Sequence, residues 1–308
     1  MMSRWLPALL LPVLALAHAG EATAQARLYA GPEAGVLYEE SGPRLITVLF
    51  PTFRLGLRSS SGGPQTLRQV LESPEAIGFV QKDVLRDHLA RRPGDIGRLQ
   101  SFGNVGLRCV YAAVRKGGWV ASFEDLLRPR DDRPIKVDIG EAEGDTAATF
   151  DAMRRLEPRL ASVSLDRRGG MRALYMVEAG LTDVALFVEE PSLDSPAITR
   201  VVESESLTFL PVAARSLLAT DADGDSSYQF TRVVVDRNPW LRSETAYETL
   251  CTPVGVVVNA AGNEAFLDAV AYASINGDLV PREPPLVDRV LRQAEAARDA
   301  LVDLLRRL

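Results

Sequence analysis

The stretch Arg58-Ser59-Ser60-Ser61-Gly62-Gly63-Pro64 runs through Gln65–Ser73 into Ala76-Ile77-Gly78-Phe79-Val80-Gln81-Lys82-Asp83. An extended segment ends in three hydroxyls and two glycines, a helix opens on Pro64, and a second apolar strand ends in Gln-Lys-Asp. Glycine lets backbone approach a ligand closely, and the free N–H groups of a helix start favour acceptor atoms. If the helix is the crossover between parallel strands, both strand ends meet one crevice. This is the layout of a binding site.

Working outward, the same theme recurs. Ile135–Ile139 reads as a strand that leads through Gly140-Glu141-Ala142-Glu143-Gly144-Asp145-Thr146 into a helix over 147–156. Asp145, at that helix start, reads as a cap for free N–H groups. Strands are expected at Arg27–Ala30, Phe53–Leu57, Gly106–Val114, Val163–Leu165, Val184–Val188, Leu207–Leu210, Phe230–Val235 and Thr252–Asn259. Helices are expected at Val84–Leu89, from Ser122 as cap, around Met171–Ala179, and at Glu264–Ile275 and Leu286–Leu308. Residues 44–50 fit either a strand or one helical face. Strands alternating with helices across short turns give an α/β architecture, and two strand–loop–helix sites suit two lobes facing one cleft.

The chain has 308 residues, 46% hydrophobic and 25% charged, enough for one large or two ordinary domains. Its formal net charge of -6, with both signs interspersed, argues against a nucleic-acid partner. Arg4, the apolar run Leu6–Ala17 and the small-residue patterns at Ala17-His18-Ala19 and Ala22-Thr23-Ala24 read as a secretory signal peptide over 1–24, implying export to the periplasm without a direct membrane anchor. Cys109 and Cys251 remain; their spacing leaves bridged and free states open.

No arrangement of catalytic residues is apparent. His88 is the one histidine outside the leader, no Cys-x-x-Cys or histidine cluster suits zinc, and no G-x-S-x-G elbow occurs. Asp221-Ala222-Asp223-Gly224-Asp225 opens like a calcium loop but lacks the later Gly and terminal Glu, so it reads as an acidic turn. No catalytic residue, metal or cofactor is expected.

The order of these motifs resembles the solute-binding receptors of tripartite ATP-independent periplasmic transporters, the TRAP-associated extracytoplasmic immunogenic protein family. The resemblance rests on Gly31, Gly35 and Tyr38 after the first strand, on Ser61-Gly62-Gly63, on Ala76–Gln81 with Asp83, and on Gly140, Gly144 and Thr146. It is weakest from 192 to 250. It implies the class II periplasmic binding-protein fold, two α/β lobes joined by hinge strands with a cleft between them. It also implies a monomer that delivers a small-molecule ligand to a membrane permease. On this basis lobe 1 comprises 25–110 and 251–308, and lobe 2 comprises 111–250. The candidate ligand contacts are Gly35, Tyr38, Ser59, Ser61, Gly62, Gly63, Gln81, Glu141, Thr146 and Phe187. Three other readings stay open: a carrier or sensor of a larger, partly apolar molecule such as a lipid; a non-binding structural or complex-forming envelope protein; and, with least support, an exported hydrolase that would need converged carboxylates.

Overall fold

The computed structural model describes residues 26–50, 52–129, 133–220, 224–238 and 243–280. The expected leader, the start of the acidic turn at Asp221 and the expected helix at Leu286–Leu308 lie outside the described residues.

The first half begins with β1 (Ala26–Tyr29), α1 (Gly42–Leu49), β2 (Leu55–Arg58), α2 (Gly63–Glu72), β3 (Ala76–Gln81) and α3 (Lys82–Arg91). The second comprises α4 (Phe123–Leu126), β5 (Lys136–Asp138), α5 (Asp145–Leu156), β6 (Ser164–Asp166), α6 (Gly170–Glu178), β7 (Val184–Glu189), α7 (Pro196–Glu203), β8 (Leu207–Phe209) and β9 (Gln229–Asn238), entered along β4 (Leu99–Arg115). The chain returns along β10 (Ser243–Asn259) and closes the first half with α8 (Glu264–Asn276).

All strands join one sheet path, β2-β1-β3-β10-β4-β7-β5-β6, with β8 on β4 and β9 on β10. The long strands β4 and β10 make this possible. Near Asn259–Val254, β10 pairs with β3 and with the start of β4, whereas its Ser243–Cys251 portion pairs with β9. Likewise β4 leaves β10 at Cys109 and continues against β7 and β8. A register shift between Val254 and Val256 marks where β10 bends in the first half.

Both faces of each half are covered, which explains the near-continuous apolar strands. All six residues of β3 are buried. Leu28, Leu45, Phe79 and Val256 build a core beneath α1 and α8, while Leu67, Val70 and Val80 build the opposite face beneath α2. In the second half Val137, Phe150 and Leu186 lie under α5, and Tyr111, Leu174, Phe187 and Ile198 under α6 and α7. Each fully buried Leu or Val contributes about 1.5–3 kcal/mol.

Residues 44–50 resolve as helix: Pro43 occupies the first turn, and Leu45 and Leu49 share the buried face. Ser122 forms a capping box with Asp125 at the start of α4. Cys109 and Cys251 form a disulfide at directly opposed positions of β4 and β10. Helix α7 was not expected from sequence.

Candidate functional site

A cleft of about 1080 Å³ lies between the halves. Pro32, Ala34, Gly35 and Val36 of the β1–α1 connection, with Glu39, Glu40 and Ser61, supply the first wall. Gly106–Arg108 of β4 and Leu186–Glu190 of β7 supply the central strands, with Leu107 and Phe187 among the apolar surfaces. The second wall carries the starts of three helices: Gly144–Thr146 of α5, Gly169–Gly170 of α6 and Ser195–Pro196 of α7.

Asp138 fixes two of these loops together. Its fully buried carboxylate accepts the Gly140 and Gly169 N–H groups at 3.0 and 2.9 Å, and the Arg168 N–H at 3.0 Å. Both glycines have positive φ, +71° and +65°. A Cβ on Gly169 would stand 3.0 Å from Gly140 Cα, so the close approach of the loops needs glycine at 169. Thr146 Oγ1 accepts the Val188 N–H at 3.1 Å, tying the α5 start to β7.

Among the described residues, carboxylates outnumber guanidiniums around the cleft: Glu39, Glu40, Glu141, Asp145, Glu189, Glu190 and Asp194 face Arg108 and Arg168. Arg168 Nε is 3.1 Å from Asp166. Arg108 is 6% exposed. Its Nη2 lies 3.0 Å from Glu190 Oε1, yet that oxygen and Arg108 Nε lack hydrogen-bond partners among the described residues. The proximity supplies charge attraction without a well-aligned bond. The Ser195 hydroxyl donates to Glu189. Burial is the main influence on the Glu189 carboxyl and pushes its pKa above the usual range, against the lowering effects of Ser195 and Arg108.

Of the sequence-derived candidates, Gly35, Ser61, Glu141, Thr146 and Phe187 line this cleft together. The others are placed differently. Tyr38 packs against the core of the first half, and the Ser59 hydroxyl donates to Glu33 at 3.1 Å near the surface. Gln81 is 2% exposed; its Oε1 accepts weakly from Thr149 at 3.4 Å, while its Nε2 has no partner among the described residues. Gly63 N–H donates to Asp145 Oδ1 at 2.7 Å. A Cβ on Gly62 would come within 2.8 Å of the same oxygen. Thus Asp145 caps α2 of the opposite half, whereas the sequence suggested a local cap on α5. Asp83 is buried and accepts from Tyr228 at 2.9 Å rather than serving simply as a helix cap.

The sequence reading passed over Arg108, Asp138 and the Arg168–Gly170 loop. A single charge between Leu107 and Cys109 was the signal for Arg108; the signal for the loop was a Gly-Gly pair ahead of a helix, as at Gly62-Gly63. Among the described residues, no group of three or more His, Cys, Asp or Glu could hold a metal ion, and no helix is long and apolar enough to cross a membrane.

The strand order and paired cores give an α/β fold resembling class II periplasmic binding proteins. No protein-family model and no curated protein matches the sequence. Solved structures with limited similarity include the GluR0 ligand-binding core from Nostoc punctiforme in complex with L-glutamate: 13% identity over 82% of this chain and 93% of that one, TM-score 0.44. A Xanthomonas citri protein bound to ATP is 11% identical over 91% and 99%, TM-score 0.49. A TctC solute-binding protein from Polaromonas is 11% identical over 87% of each chain, TM-score 0.44. At these values neither ligand nor partner transfers to this chain.

Proposed function

We propose that this is an exported solute-binding protein that encloses a small polar organic molecule between two lobes and presents it to a membrane transporter. The observation that carries the reading is the cleft itself, where three helix starts, the buried Arg108 and several carboxylates face one volume. Such concave sites combine apolar walls with a few fixed polar groups. Ligand contacts to both walls favour the closed population, and β4 and β10 act as the hinge. The lobes divide near residues 110 and 250. Gly35, Ser61, Glu141, Thr146 and Phe187 contact the ligand. The finer assignment, to receptors of the TRAP-associated extracytoplasmic immunogenic protein type, is supported by the order of glycine motifs along the sequence. The protein binds without catalysing a reaction and uses no cofactor.

A second reading, a carrier of a larger and partly apolar ligand, is favoured by the volume and by Leu107, Leu186, Phe187, Val188 and Leu193 on its walls. Native mass spectrometry of protein purified from its own periplasm separates the two. Solute binding predicts a stoichiometric small polar molecule that is lost in Ser61→Trp, a change that fills the mouth of the cleft. A lipid mass selects the second reading. Empty protein recovered with a persistent protein partner overturns both.

A further inference from the structure

The deepest charges in the cleft form an unbalanced set. Arg108, 6% exposed, stands beside Glu190, with Glu189 one residue earlier on β7. One guanidinium therefore faces two carboxyl groups. Neither Arg108 Nε nor Glu190 Oε1 has a hydrogen-bond partner among the described residues, although the charged groups approach to 3.0 Å. Buried polar atoms are ordinarily paired, and leaving them unpaired is costly. A molecule with an acceptor for Arg108 and a donor for Glu190 completes both groups, after the small side-chain adjustment that aligns them.

Two other groups that could meet an anion are engaged by the protein itself. Arg168 is paired with Asp166, and the start of α2 receives Asp145 instead of an outside anion. Beyond the deepest set, Glu141 and Glu39 add negative charge to the two walls. A second ligand anion would enter this predominantly negative field, while a cationic nitrogen would relieve it.

Resting on the solute-binding reading, we infer that the cleft selects an amine-bearing ligand: a cationic nitrogen faces Glu190 and Glu189, and any carboxylate it carries lies on Arg108. The selected class is zwitterionic amino acids and organic amines, discriminated from dicarboxylates and inorganic phosphate.

Calorimetric titration of the purified mature chain with the proteinogenic amino acids, putrescine, spermidine, succinate and inorganic phosphate tests this. At least one amine is expected to bind at least about tenfold more tightly than succinate or phosphate. Glu190→Gln should weaken amine binding by about tenfold or more without weakening succinate. Arg108→Met should weaken an amino acid but spare a diamine, which has no carboxylate. Thermal unfolding verifies that each variant is folded, and Glu189→Gln replaces Glu190→Gln if the latter is not. Tighter binding of succinate or phosphate overturns amine selectivity while leaving solute binding intact. Silence from every amine also overturns it. A native mass spectrum holding another stoichiometric solute would then preserve the wider reading, whereas empty protein with a persistent partner would remove that reading too.

Discussion

Asp83 shows how one side chain can couple the halves at an energetic cost. It is 1% exposed and accepts the Tyr228 hydroxyl at 2.9 Å, while its Oδ1 has no hydrogen-bond partner among the described residues. Burial raises its pKa above the usual value, outweighing the hydrogen bonds that lower it. Its contribution to stability is therefore fully present below the unfolded value of about 3.9 and is lost as pH rises through the higher folded value. Asp83→Asn retains an acceptor for Tyr228 but removes the buried charge. Urea unfolding should show the variant gaining stability relative to wild type as pH rises above about 4, by on the order of 1 kcal/mol. Tyr228→Phe should instead lose about 1–3 kcal/mol, because it strands the acceptor. An Asn variant with the wild-type pH dependence would refute the account. Sequence could show that Asp83 follows a strand, but not that a tyrosine 145 positions later lies above it. The same limit hid Arg108 and Asp138, whose partners come from distant strands and loops, whereas Gly35, Ser61 and Thr146 were legible because helix starts are local signals.

At the scale of elements, the strands and crossover helices of the first half were readable because turns and apolar runs are local. Long β10 was not. Thr252–Asn259 forms an apolar run, but Ser243–Leu250 contains Glu244 and Glu248 and is held by pairing with β9. Tertiary pairing extends the strand beyond what composition identifies. Residues 44–50 were ambiguous for the opposite reason: Ile46, Thr47 and Val48 favour strand, while Pro43 and the Leu45/Leu49 face select helix in the folded chain. The pairing of β4 with β10 also brings together two cysteines separated by 142 residues. Their bridge ties the outgoing and returning strands at the crossing. In the chain-entropy account, such a long loop makes a cross-link effective by restricting the unfolded state. Cys109→Ser/Cys251→Ser should therefore lose about 2–5 kcal/mol in denaturant unfolding, with β9 and the adjacent part of β10 losing hydrogen-exchange protection before the first-half β1–β3 sheet. Equal stability with and without the bridge would remove this role.

For the whole molecule, the decisive contacts lie beside the cleft, where α2 and α3 of one half meet α5 of the other. Gly63 N–H donates to Asp145 at 2.7 Å, Arg68 pairs with Glu143 at 2.8 Å, and Arg155 pairs with Asp87 at 2.6 Å. These are unequal. Arg68–Glu143 is exposed and contributes at most about 1 kcal/mol, whereas the charge-assisted bond to Gly63 contributes about 1.5–3 kcal/mol. Asp87 has a 3% exposed side chain but retains Arg91 as a second partner, so Arg155→Ala loosens the junction without isolating a buried carboxylate. On the two-lobe reading proposed above, these contacts favour closure before a ligand arrives. Moving a two-state population from one extreme to the other takes about 5.5 kcal/mol, so loss of the two stronger contacts should expose a substantial open population. In small-angle scattering without ligand, Asp145→Ala/Arg155→Ala should have a larger radius of gyration than wild type, and a bound solute should restore part of the compact state. Its apparent affinity should fall because the binding-competent population is smaller. Scattering identical to wild type, with the variant folded, would show that these contacts follow closure without stabilising it.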